Sequence, residues 1–154
     1  FLKNLAVFFG VGHLPKGPGT WGTLATLPIV FLLSKSGPFF YMLAILILMP
    51  LAVWAAEVYE QDKGSHDSPE IVIDEVLGFM ITMTWLPQTW KAYVAGFILF
   101  RVLDIFKPFP IGYLDKKVRG GLGVVADDVA AGIIASLILQ TIYANTFWLG
   151  AQIR

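Results

Sequence analysis

The chain has no cysteine. That excludes a disulfide framework, a thiolate nucleophile and a cysteine-ligated zinc site, and it leaves the compartment open. Charge is scarce as well. Lys, Arg, Asp and Glu make up 14% of the 154 residues, where a soluble domain carries about 25%. Formal net charge is zero and no long basic run is present, so nucleic acid is not an expected partner. Strand-like alternation is weak throughout, and the chain reads as all-α. What is abundant is apolar surface: 56% of residues are hydrophobic and mean hydropathy is +0.70. This composition points to a membrane protein, and the length suits one domain over residues 1–154. With Phe1 in first place, the natural start is expected upstream, and no cleavable signal peptide is read here.

The apolar residues fall into segments. Residues 21–34 form a moderately long one that carries Pro28. Residues 39–56 are free of charge, although Pro50 is expected to kink them. Residues 76–86 and 92–100 are shorter and read as a helical hairpin turning at 87–91. Residues 129–144 are the last candidate, and Tyr143, Phe147 and Trp148 near their end fit an interfacial belt. Residues 1–11 are apolar but too short to span, which suggests a re-entrant or interfacial segment. The expected fold is therefore a compact polytopic membrane helical bundle.

Alternation of these segments fixes a topology. The loop 10–20, the stretch 57–74 and the stretch 101–127 share one face. Residues 35–38, the hairpin turn and the C-terminus share the other. Lys16, Lys63, Arg101, Lys107, Lys116, Lys117 and Arg119 then oppose Lys35, Lys91 and Arg154, seven against three. That bias places the charged loops in the cytoplasm.

Apart from Lys3, Lys16, Lys35, Lys91 and Arg154, every charged residue lies within 57–75 or 101–128. An ionisable side chain at the centre of a bilayer costs about 2.5–3.5 kcal/mol even on insertion scales, so such clusters are functional candidates. Four stretches stand out. Gly10-Val-Gly-His-Leu-Pro-Lys-Gly-Pro-Gly-Thr-Trp-Gly specifies a fixed loop leading to a helix start, with Thr20 as expected N-cap. Its backbone N–H groups and Lys16 suit a phosphate; a plain lead-in turn is the alternative. In Ile71-Val-Ile-Asp-Glu-Val-Leu-Gly, Asp74 and Glu75 open a helix, where the dipole favours carboxylates. Ordinary capping accounts for one of them more readily than for two. Gly78, one turn on, leaves room for a neighbouring backbone.

In Phe100-Arg-Val-Leu-Asp-Ile-Phe-Lys-Pro-Phe-Pro, a spacing of three puts Arg101, Asp104 and Lys107 on one helix face. This is either a local ion-pair ladder or part of a site holding a metal and a phosphoryl group. In Gly120-Gly-Leu-Gly-Val-Val-Ala-Asp-Asp-Val-Ala-Ala-Gly, Asp127 and Asp128 are expected to open the last helix as Asp74 and Glu75 open theirs, again with a glycine (Gly132) one turn inside. With Asp104, five carboxylates would face one point and repel strongly. A hard divalent cation removes that penalty, and Mg²⁺ suits an all-oxygen ligand set with positions left for water and phosphate. His13 touches the site at most through its loop. His66 reads as a solvated loop residue, and residues 113–117 as a surface segment resting on anionic headgroups.

Pro15-x-x-Pro-Gly-Thr-x-Gly, Ile73-Asp-Glu-x-x-Gly, Phe100-Arg-x-x-Asp-x-x-Lys-Pro-x-Pro and Gly121-x-Gly-x-x-x-Asp-Asp-x-x-Ala-Gly, in this order, resemble the motifs of bacterial phosphatidylglycerophosphatase A. The resemblance covers nearly the whole chain. It implies a Mg²⁺-dependent phosphatase of the bacterial inner membrane that converts phosphatidylglycerophosphate to phosphatidylglycerol. By the same resemblance Asp74, Glu75, Asp104, Asp127 and Asp128 are expected metal ligands. Asp74, Asp104, Asp127 and Asp128 are the expected catalytic acids, with Asp104 as a ligand or a general base. Lys107, Arg101, Lys16, Gly17, Gly19 and Thr20 are expected to bind the phosphate. One or two ions, water or an Asp as nucleophile, and the oligomeric state stay open.

The histidine-dependent membrane phosphatases need a Ser-Gly-His motif, and the Asp-nucleophile class needs Asp-x-Asp-x-Thr; both are absent. A phosphatidyl-alcohol transferase is the nearest enzymatic alternative, because it shares metal–carboxylate chemistry at a membrane face. A small cation transporter would place its acids near helix midpoints.

Overall fold

The computed structural model of the protein describes residues 1–65 and 68–151. His66 and Arg154, both assigned a place above, lie outside the described residues. Within them the chain is all helical: α1 (Leu2–Ala6), α2 (Pro18–Lys35), α3 (Pro38–Lys63), α4 (Ile73–Thr82), α5 (Trp90–Phe106), α6 (Ile111–Lys117) and α7 (Gly120–Asn145), with a 3₁₀ turn at Val11–His13.

α4 is the central helix. Ile73, Asp74, Val76, Leu77, Gly78, Phe79, Met80 and Thr82 are buried in it, and a helix enclosed on all sides needs neighbours on every face. α7, α2, α3 and α5 supply them. Among apolar surroundings such contacts rest on close packing of small residues rather than on expulsion of water. The α4–α7 crossing shows this. A Cβ on Gly132 would run into the Gly78 carbonyl, and one on Gly78 would stand 2.8 Å from the Asp128 carbonyl oxygen and 2.7 Å from the Phe100 ring. The two glycines therefore let the backbones beside the acidic pairs touch.

The outside of the bundle is apolar too. Leu32, Phe39, Leu46, Ile47, Trp54, Ile98, Ile105 and Leu137 are all more than half exposed. α3 and α7 are each 26 residues long and apolar enough to cross a membrane. At 1.5 Å per residue such a helix exceeds the ~30 Å hydrocarbon core.

The helix ends group at two ends of the bundle in the way the alternation requires. Gly19 near the start of α2, the start of α4 and the end of α5 meet at one end of the bundle. There the end of α3 reaches the start of α7, where Glu57 accepts a hydrogen bond from the Gly121 N–H at 2.6 Å. At the far end, Ser34, Gly37, Tyr41, Leu86 and Gln88 line one cavity, and Thr89 donates to the Leu149 carbonyl. The short N-terminal segment is α1, held at the acidic end by the Lys3–Asp62 ion pair and by the Val72 N–H donating to Ala6 at 2.9 Å.

Several boundaries differ from expectation. Thr20 is not the N-cap of α2; Gly17 is, in left-handed backbone (φ +81°), followed by Pro18 at the first helical position. Proline there is preformed for a helix and needs no N–H partner. α3 runs unbroken through Pro50 to Lys63, and α5 extends to Phe106. The largest correction concerns α7. It starts at Gly120, so Asp127 and Asp128 do not open it but lie two turns inside. Glycines disfavour a helix interior by about 1 kcal/mol each. Gly121 is nevertheless helical because α3 lies against it: a Cβ there would stand 2.6 Å from the Glu57 backbone nitrogen.

Candidate active site

The two acidic pairs, 53 residues apart in the chain, meet across the glycine crossing. Asp74, Glu75 and Asp128 present oxygens within 4.8 Å of one another, and so do Asp104, Asp127 and Asp128. Asp128 belongs to both triads and is their common vertex. Asp74, Asp127 and Asp128 are buried, and the Glu75 and Asp104 side chains are each 13% exposed. All five predicted acids are thus brought together.

The two predicted cations sit at the edge of this group. Arg101 Nη1 donates to Asp104 Oδ2 at 2.5 Å and lies 3.7 Å from Glu75 Oε1, which realises the expected i,i+3 pair. Lys107 does not continue that ladder. It is the C-cap of α5, in left-handed backbone (φ +45°), and its Nζ donates to Asp127 Oδ2 and to Asp115 Oδ1, each at 2.6 Å. Burial opposes its charge, but the hydrogen bonds and charges of those two carboxylates outweigh burial and hold the ammonium above its ordinary pKa.

Two cations do not satisfy the acids. Among the described residues, Asp74 Oδ1, Glu75 Oε2, Asp127 Oδ1 and Asp128 Oδ2 are buried without a hydrogen-bond partner. One unmatched buried polar atom costs about 1–3 kcal/mol, and more when charged. Unmatched carboxylate oxygens on residues that form two such triads are therefore the chemistry of a cation site. With no sulfur or imidazole in either triad, the donor set fits a hard ion such as Mg²⁺, which takes oxygen ligands at about 2.0–2.1 Å.

Of the Gly/Pro loop, Gly19 stands directly against the acids: a Cβ there would collide with Glu75 Oε1 and lie 3.0 Å from Arg101 Nη1. Lys16 is exposed, in left-handed backbone (φ +60°). Thr20 is in the first turn of α2 and Gly17 caps it. The loop is anchored from behind by Glu70. Its carboxylate accepts from Tyr59 and from Lys63 Nζ at 3.0 Å, and His13 Nδ1 lies 3.8 Å from it. The Tyr59 and Lys63 hydrogen bonds hold Glu70 below the ordinary carboxylate range.

Glu57, Glu70 and Asp115 carry structural contacts here that were not singled out from the sequence. Asp115 had a readable signal. It follows Lys107 by eight residues across Pro108 and Pro110, and a proline-bounded reversal brings such residues together.

Comparison with known proteins gives the same picture. The family model described as phosphatidylglycerophosphatase A matches residues 4–143. The chain is 40% identical over 139 residues to a phosphatidylglycerophosphatase A of Escherichia coli, covering 90% of this chain and 81% of that protein. It is 39% identical over 147 residues to one of Haemophilus influenzae, covering 94% and 88%. A Bacteroides thetaiotaomicron protein provisionally named a phosphatidylinositol-3-phosphatase is 34% identical over 139 residues, covering 85% and 86%. No solved structure matches. Four motifs, converging at one end of the bundle, and these two lines of similarity agree: the chain belongs to the phosphatidylglycerophosphatase A family.

Proposed function

We propose that this protein, a lipid phosphatase by its family, hydrolyses the terminal phosphate ester of phosphatidylglycerophosphate to phosphatidylglycerol and inorganic phosphate, with Mg²⁺ as cofactor. The observation that carries the reading is the pair of carboxylate triads sharing Asp128, with four buried oxygens lacking partners. Asp74, Glu75 and Asp128 would hold one ion, and Asp104, Asp127 and Asp128 a second if two bind. Bound there, Mg²⁺ supplies charge neutralisation and polarisation of phosphoryl oxygens.

The rest falls to side chains of this chain. Arg101 and Lys107 at the rim bind the phosphoryl oxygens and stabilise charge that grows as the P–O ester bond breaks. Gly19, lacking a side chain, lets the Glu75 carboxylate and the Arg101 guanidinium sit directly against the start of α2. A water molecule supplies the new P–O bond, and Asp104 is the group we assign to take its proton, because it is the least buried acid of its triad. The alkoxide of the leaving glycerol takes up a proton and remains in the lipid.

Placement follows from the same end-on arrangement. Lys16, Lys63, Lys107, Lys116, Lys117 and Arg119 belong to the acidic end, and Lys35 and Lys91 to the far end, which favours a multi-pass protein of the bacterial inner membrane with its site toward the cytoplasm. The substrate's acyl chains then stay in the leaflet while its head reaches the acids.

The test is phosphate release from synthetic phosphatidylglycerophosphate with Mg²⁺ or with chelator, beside phosphatidic acid and phosphatidylinositol 3-phosphate. Release that needs Mg²⁺ and prefers phosphatidylglycerophosphate supports the reading. Equal turnover in chelator, or preference for another lipid, rejects it.

A further inference from the structure

Asp115 belongs to none of the four motifs, yet it makes one of the two contacts that hold the Lys107 ammonium. Its position is built into the chain. Pro108 and Pro110 separate α5 from α6, and Ile111 is fully buried. The Lys107 carbonyl occupies the space where a Cβ on Gly112 would project, at 2.5 Å, so α6 lies directly on the Lys107 backbone. Lys107 turns out of α5 through its left-handed φ, and Asp115 faces back to meet it.

Charge balance does not explain this carboxylate. Five acids face Arg101 and Lys107 already, and a sixth negative group adds to the excess. Direction does explain it. An ammonium on a flexible four-carbon stem carries three donors. Asp127 on α7 and Asp115 on α6 take two of them, which keeps Lys107 at the rim rather than drawn into the acids, with its third N–H left for a ligand.

We propose that Asp115 is a positioning residue for the reaction: it tethers Lys107 at the edge of the carboxylate cluster so that the ammonium meets a phosphoryl oxygen. The proposal rests on the phosphatase reading above, and it concerns phosphate recognition rather than cation binding.

The experiment uses the full chain in detergent. Phosphate release kinetics, competition by inorganic phosphate, the Mg²⁺ activation midpoint and thermal unfolding are measured for wild type, Asp115→Asn, Asp115→Glu, Lys107→Ala and the Lys107→Ala/Asp115→Asn double variant. Replacing a charge-assisted hydrogen bond by a neutral one, roughly half as strong, corresponds to about tenfold. Asp115→Asn is expected to raise KM and the inhibition constant for inorganic phosphate by about tenfold. Because Lys107 also stabilises charge on the breaking P–O bond, kcat should fall too, while the Mg²⁺ midpoint should change by less than about threefold. Asp115→Glu should recover part of the loss, and Asp115→Asn should add nothing once Lys107 is Ala. Unchanged phosphate inhibition in Asp115→Asn overturns the proposal, as does a fall in unfolding temperature with KM unaltered or a full additional loss in the double variant. A wild type that binds inorganic phosphate but releases none from phosphatidylglycerophosphate would instead sink the substrate assignment and leave the tether testable by phosphate binding alone.

Discussion

Two acidic pairs that look alike in the sequence are held by different physics. Asp74 and Glu75 are the second and third residues of α4, where free N–H groups and the positive end of the helix dipole favour negative charge. Asp127 and Asp128 lie two turns inside α7, beyond the reach of that dipole, which fades within the first turn. Asp127 has the Lys107 ammonium at 2.6 Å instead. Asp128 is 3% exposed and shared by both triads, and it forms no ion pair with a cation among the described residues. The start of α4 therefore offsets part of the charge on its acidic pair, whereas the interior of α7 offers Asp128 no such help and leaves it to a bound cation. Of the five acids Asp128 should be the most dependent on Mg²⁺.

The largest expected effect follows from that difference. Asp128→Asn should lower phosphate release by about 10²–10³-fold or more, as for loss of a principal electrostatic group. In chelator the same variant should unfold at a higher temperature than wild type, because one buried repulsive charge is gone. Asp74→Asn should behave likewise, with a smaller gain in chelator since the dipole already offsets part of its charge. Asp127→Asn should gain least, because it strips Lys107 of a partner. Thermal unfolding of the three variants with EDTA and with Mg²⁺ gives the order, and a uniform response would erase the distinction drawn between the pairs.

A middle-sized effect tests how the pairs are brought together. Gly132→Leu places a side chain against the Gly78 carbonyl and should cost about 1–3 kcal/mol of stability, as overpacking does. Activity should fall further than the stability loss accounts for, since the helices that carry the acids are pushed apart. Thr141→Leu, at an exposed position further along the same helix, serves as the control.

The smallest effect lies behind the loop. Glu70 has a carboxyl pKa below its ordinary value of 4.5, so its contribution to stability is present above that value and is lost as the pH falls through the lowered one. Glu70→Gln should therefore differ from wild type at pH 7 and converge with it only once the pH has fallen below that lowered value. Unfolding temperature against pH shows this; a gap that persists in strong acid would mean the carboxylate charge is not what anchors the loop.

Much of this arrangement was legible in the sequence, and the reasons are particular. Charge in so apolar a chain had few places to go, so Asp74, Glu75, Asp104, Asp127 and Asp128 could be read as one group. Gly78 and Gly132, each one turn past an acidic pair, gave the crossing. The start of α7 was misread because local propensity treats Gly120, Gly121 and Gly123 as loop, while α3 packed against Gly121 makes them helical. Thr20 was misread for a related reason, as Gly17 and Pro18 start α2 without a side-chain cap. Asp115 escaped because charge patterning along one helix does not pair it with Lys107; the cue lay instead in Pro108 and Pro110, which reverse the chain between the two.

Calorimetric titration of Mg²⁺ into the detergent-solubilised protein tests the account most directly. Saturable binding in wild type and in Glu70→Gln, abolished in Asp128→Asn, is the predicted result. Binding that survives in Asp128→Asn, or no binding to the wild type, would contradict a shared cation site at these acids.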